Sequence, residues 1–142
     1  MTETTTVLTP QPTQLSLPQI LMEAPGRIRK ARQDLFEGRV AVDRLRLEVK
    51  LLEARHLSQV SAATGADGKK LHTNAESREA AVRDRMSEDP GALDLKRQVD
   101  ERVTLNAKVE AYIEYWEDLQ RSARVLMLAR SPFDAVMAVE DI

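Results

Sequence analysis

The chain has 142 residues and a formal net charge of −2, with 42% hydrophobic, 31% charged and only 4% aromatic residues. Its apolar content therefore comes mainly from Ala, Val and Leu, which suits one small helical or coiled-coil domain rather than a β-sandwich. The absence of cysteine excludes a disulfide scaffold, a thiolate nucleophile and every zinc site that uses Cys.

Residues 1–14, rich in Thr, Pro and Gln, lack helical periodicity and read as a flexible arm. They have neither the basic start nor the apolar stretch of a signal peptide, and no segment approaches the ~18 apolar residues of a membrane span. The expectation is a cytoplasmic protein with no membrane partner. Residues 15–24 hold Leu15, Leu17, Ile20, Leu21 and Met22 around Pro18, a short segment too apolar for water and expected to dock.

Pro25 fits the first turn of a helix, where its missing donor costs nothing. From there Ile28, Ala31, Leu35, Gly38, Val42, Leu45, Val49 and Leu52 step by three and four without a slip. That is one seam of a helix predicted over 25–63, roughly 58 Å long at ~1.5 Å per residue. A second line, Phe36, Val40, Leu47 and Leu51, is expected to flank the seam and widen the buried face.

Gly65, Asp67 and Gly68 place a turn with a flexible basic tip within 64–73. Thr73 and Glu76 have the spacing of a capping box that starts a second arm over 74–130. Asp89-Pro90-Gly91 repeats a start signal, so the arm is expected to kink at 89–91. Beyond it Leu95, Val99, Val103, Val109, Ile113, Trp116, Ala123 and Met127 form a drifting face that Asn106 interrupts. A polar residue there can set register or oligomer state. Ser131-Pro132-Phe133-Asp134 predicts a short acidic-apolar helix over 131–142. The fold expected is all-α: an antiparallel helical hairpin or coiled coil with a kinked second arm and short terminal helices, assembling as a homo-oligomer. A near-continuous return arm puts position 27 beside about position 111, and leaves an overhang for residues 15–24 or a second copy to cover.

Charge divides unevenly. Residues 25–63 carry nine Lys/Arg against five Asp/Glu, or +4, and residues 131–142 carry three acids and no base, or −3. Arg27, Arg29, Lys30 and Arg32 crowd the first two turns of the predicted helix, where cations oppose the macrodipole by ~0.3–1 kcal/mol each. The hairpin brings Arg121, Arg124 and Arg130 toward the same end, and phosphate is the natural partner of such a patch. The plainer reading is a solvated face with Asp34, Glu37, Glu117 and Asp118 as counterions. Tyr112, Tyr115 and Trp116 can stack on bases, anchor a protein partner or fill the core. Leu17, Ile20, Leu21, Tyr112, Trp116 and Phe133 are the candidate partner contacts.

Chemistry of catalysis is hard to place. His56 and His72 lack a second ligand at helical spacing, Gly65–Lys70 lacks the P-loop pattern, and no nucleophile elbow or Glu-x-x-His pair occurs. The expectation is a non-enzymatic chain without metal or cofactor.

The run Lys70-Leu71-His72-Thr73-Asn74-Ala75-Glu76-Ser77-Arg78-Glu79-Ala80, followed by a charged heptad arm ending Ala123–Arg130, resembles small helical-hairpin proteins encoded by tailed phages and prophages. Those carry an Asn-Ala-Glu-x-Arg-x-Ala turn between two arms. The resemblance covers residues 25–130 and implies a phage origin and an accessory role around single-stranded DNA or a recombination protein. It carries over no catalytic residue. The alternative is an interaction or assembly protein, either a virion or scaffold component or a modulator of a host protein.

Overall fold

A computed structural model describes residues 15–129. Among them are three helices, α1 (Leu17–Ala62), α2 (Ala75–Glu88) and α3 (Pro90–Ala129), and no strand beyond an isolated bridge. The terminal helix expected over 131–142, with Phe133, and Arg130 lie outside the described residues. None of the helices is long and apolar enough to cross a membrane.

Pro25 does not open the first helix. The chain enters α1 through a capping box formed by Ser16 and Gln19: Ser16 Oγ accepts from the Gln19 amide, and Gln19 Oε1 accepts from the Ser16 amide at 2.9 Å. Pro18 follows in the first turn, where a missing donor costs little. Pro25 then lies inside the helix, and the segment expected to dock separately is the first part of α1.

The chain divides into two compact units. The terminal unit comprises residues 15–34 and 109–129, and the central unit Leu35–Lys108. In the terminal unit Ile20, Ala24, Ile28 and Ala31 of α1 are buried, as are Ile113, Trp116 and Ala123 of α3. In the central unit Leu35, Gly38 and Val42 continue the buried face of α1, which runs half-buried through Leu45, Val49, Leu52 and His56 to buried Val60. Position 38 faces 106 and position 56 faces 89, so the two arms are antiparallel there. In the terminal unit Arg27 lies against Trp116, further along the return arm than the expected position 111.

The seam of α3 does not drift. Flanked by half-buried Gln98, Glu117 and Leu119, it runs in the central unit through Ala92, Leu95, Val99, Arg102 and Asn106, and in the terminal unit through Val109, Ile113, Trp116, Gln120, Ala123 and Met127. These alternate steps of three and four throughout. Val103, expected on the face, is exposed, and half-buried Arg102 takes the seam position, with its Nε buried and without a hydrogen-bond partner among the described residues. Phe36, Val40, Leu47 and Leu51 are all exposed as well, so the second apolar line does not widen the buried face.

The turn is ordered by backbone bonds. Leu71 N donates to Ala63 O at 3.1 Å and Gly65 N to Lys69 O at 2.7 Å, around Gly68 at φ +78, a value glycine reaches without strain. The cap of α2 is Asn74, whose Oδ1 accepts from the Ser77 amide at 2.7 Å, rather than Thr73. Helical path is interrupted at Asp89, in extended backbone, and Asp89 Oδ1 accepts from the amides of Gly91 and Ala92 to start α3.

Candidate nucleic-acid interface

In the terminal unit a groove of about 510 Å³ runs between the Pro25–Arg32 stretch of α1 and the Glu117–Arg124 stretch of α3. Its floor includes Ile28 and Gln120, and its walls carry Arg29 and Arg32 from one helix and Arg121 and Arg124 from the other. Four arginines stand against one lining carboxylate, Glu117. The placement follows from helical spacing. Arg29 and Arg32 lie one and four positions after the seam residue Ile28, and Arg121 and Arg124 one and four after Gln120, so all four project from the same flank.

Two of the four are engaged. Arg32 donates to Glu117 Oε1 at 2.6 Å, and Arg121 to Asp118 Oδ1 at 2.8 Å. Arg29 and Arg124 have no ion pair among the described residues, whereas Lys30, expected in the same patch, is exposed but does not line the groove, because two positions after Ile28 it falls about 200° round the helix.

Arg27 is not part of this groove. It precedes Ile28 by one position and so projects from the other flank, where its guanidinium stacks 4.7 Å from the Trp116 ring and pairs with Glu23 at 3.0 Å. Tyr112 first and Glu23 second hold it above the ordinary arginine value, which keeps it charged under all working conditions. Its position is that of a cation–π clasp on the core. The macrodipole reading of the cluster also changes. With α1 starting at Leu17, Arg27–Arg32 are interior residues, and the dipole acts only over the first turn. Convergence of charge from two helices is what remains to mark the groove.

Trp116 is 1% exposed and cannot stack on a base. It forms a tilted pair with Tyr112 at 6.3 Å and an edge pair with Tyr115 at 6.5 Å, while both tyrosines keep exposed surface. Of the candidate partner contacts, Ile20 is also buried in the chain's own core, and Leu17 and Leu21 are half-buried.

The two histidines are tied into the central unit. His56 Nε2 is 2.7 Å from Asp89 Oδ2, and His72 Nδ1 is 2.9 Å from Ser77 Oγ. Among the described residues no group of three or more His, Cys, Asp or Glu is placed to hold a metal ion. Sequence reasoning missed Gln120 in the floor, for which the signal was the strict alternation of three and four along the return arm. Glu117 and Asp118, expected as counterions, pair with Arg32 and Arg121.

No protein-family model, curated protein or solved structure matches the chain.

Proposed function

We propose that the chain is a non-enzymatic helical accessory protein of nucleic-acid processing, acting in phage recombination or replication, and that it binds nucleic-acid phosphates in the groove of the terminal unit. The observation that carries this reading is the convergence of Arg29, Arg32, Arg121 and Arg124 from two helices on one open groove. Planar guanidinium forks suit phosphate oxygens, to which they donate paired hydrogen bonds. Arg29 and Arg124 supply the first contacts, and Arg121 extends them along a strand. Arg32 joins when a phosphate displaces Glu117, an exposed pair that holds it only weakly.

Single-stranded nucleic acid is the favoured partner, because the groove is short and the turn-and-arm resemblance points to that setting. Anisotropy of labelled single- and double-stranded oligonucleotides at low and moderate salt tests the reading. Binding that weakens steeply with salt supports it, and a folded protein that binds neither strand at low salt refutes it. An assembly role, in a virion or scaffold or on a host protein, is favoured by a different observation, the exposed apolar line on α1.

A further inference from the structure

Phe36, Val40, Leu47 and Leu51 are 68%, 41%, 56% and 61% exposed. At 3.6 residues per turn they fall within a sector of about 60°, on the side of α1 away from the seam residues Leu35, Gly38 and Val42. A contiguous apolar stripe on an otherwise charged helix marks an interaction surface. Leu47 follows Phe36, and Leu51 follows Val40, at an eleven-residue spacing, which keeps the stripe straight and favours a partner helix lying nearly parallel to it or crossing with a right-handed sense.

Charge specifies the occupant. One flank of the stripe carries Glu37, Arg44 and Glu48, and the other Arg39, Asp43, Arg46 and Lys50. A two-fold axis along the helices sets the first flank of one copy against the second flank of the other. Glu37 then meets Arg39 of the second copy, Arg44 meets Asp43, and Glu48 meets Lys50, each within about 3 Å along the axis. These three are opposite in sign and the symmetry doubles them, while Arg46 cancels itself, lying between Arg44 and Glu48 of the second copy. An antiparallel pair centred on the stripe sets each flank against itself: Asp43 on Asp43, Arg44 on Arg44, Glu37 on Glu48 and Arg39 on Lys50. All four are like charges, and Arg46 again cancels itself, lying between Arg39 and Asp43 of the second copy.

We infer that this face of α1 is a self-association surface that pairs two copies in parallel and in register. The apolar stripe supplies the attraction and the flanking charges select direction and register, as exposed ion pairs do better than they supply affinity. The surface is isologous, so two copies close the assembly.

Sedimentation equilibrium and cysteine cross-linking of the full chain test this together. Wild type is expected to sediment at twice the chain mass of 16.0 kDa at tens of micromolar (~ order of a modest interface), and Leu47→Glu, on an exposed face and checked for helicity by circular dichroism, at the chain mass. Asp43→Arg is expected to weaken the dimer by about fivefold, and Asp43→Arg with Arg44→Asp to restore it. Because the chain has no cysteine, Ala54→Cys, which continues the stripe, introduces a single thiol. A parallel pair brings the two thiols into disulfide range, whereas the antiparallel pair leaves them about 32 Å apart. Rapid oxidative dimerisation of Ala54→Cys, but not of Ser122→Cys, is expected. A folded wild-type monomer overturns the proposal, as does a dimer that survives Leu47→Glu or one in which Ala54→Cys fails to cross-link.

Discussion

The side-chain oxygen of Asn106 occupies the space where Gly38 would carry a Cβ: an ideal Cβ at position 38 would lie 2.1 Å from Asn106 Oδ1. A polar residue in the return-arm seam is thus matched by a missing side chain in the first arm, and each position makes sense only with the other. Sliding the arms by one heptad in the central unit would put Asn106 against Ala31 or Leu45 instead, so the pair fixes register. Gly38→Ala gains helix propensity of ~1 kcal/mol but overpacks the seam. The net expectation is a loss of about 1–2 kcal/mol, recovered in Gly38→Ala/Asn106→Ala. Chemical denaturation of the four proteins as a double-mutant cycle checks it, and additive effects would contradict the coupling.

Glu117 competes with any anion for Arg32. Glu117→Gln removes that competitor while keeping the side chain's shape, and is expected to tighten oligonucleotide binding about two- to fivefold at low salt, fading as salt rises. Equal affinities for the two proteins at low salt would show that Arg32 takes no part.

Arg27 separates from the groove residues by the readout it moves. Arg27→Ala loses the stack on Trp116 and is expected to lower stability by about 0.5–2 kcal/mol while leaving the salt dependence of nucleic-acid binding unchanged. Thermal melting and salt titration of this one variant make the comparison. A flattened salt dependence with unchanged stability would put Arg27 in the binding site after all.

Asp89 joins His56 to the start of α3. Its carboxyl is held below the ordinary value of 3.8, first by His56 and then by the Gly91 and Ala92 amides. A depressed folded value means that this stabilisation is present above the ordinary carboxylate range and is lost as pH falls through the folded value. Wild type is therefore expected to lose melting temperature on acidification below about pH 4. Asp89→Asn, which keeps a capping oxygen, should start lower at neutral pH and lose less. Parallel acid profiles of the two proteins would contradict this role.

The first-arm seam was readable because its residues are apolar and its spacing is regular. Its start was not, since Pro25 gave a plausible first turn while the Ser16/Gln19 box, with Pro18 between, was a less obvious one. The return arm was harder for a physical reason. Arg102, Asn106 and Gln120 hold seam positions with long or polar side chains, so the apolar residues alone point to Val103 and suggest a drift that the face does not have. Phe36, Val40, Leu47 and Leu51 form a real stripe, but its angle from the seam puts it on the far side of α1. The basic groove was legible as two clusters, Arg29/Arg32 and Arg121/Arg124, and helical spacing takes Lys30 to the opposite side of α1. That Arg27 leaves them for Trp116 depends on which flank of Ile28 it occupies, and helical spacing alone could have shown it.

The most direct test of the nucleic-acid reading compares wild type with Arg29→Ala/Arg124→Ala by anisotropy with a labelled single-stranded oligonucleotide across a salt series. Both side chains project from the surface, so the variant should keep its helicity. With about four phosphate contacts, the wild-type logarithmic slope is expected near −3 on a single strand, and the variant slope should be shallower by about 1.4 with weaker binding at every salt concentration. Identical slopes and affinities for the two proteins would contradict the claim that this groove holds nucleic acid.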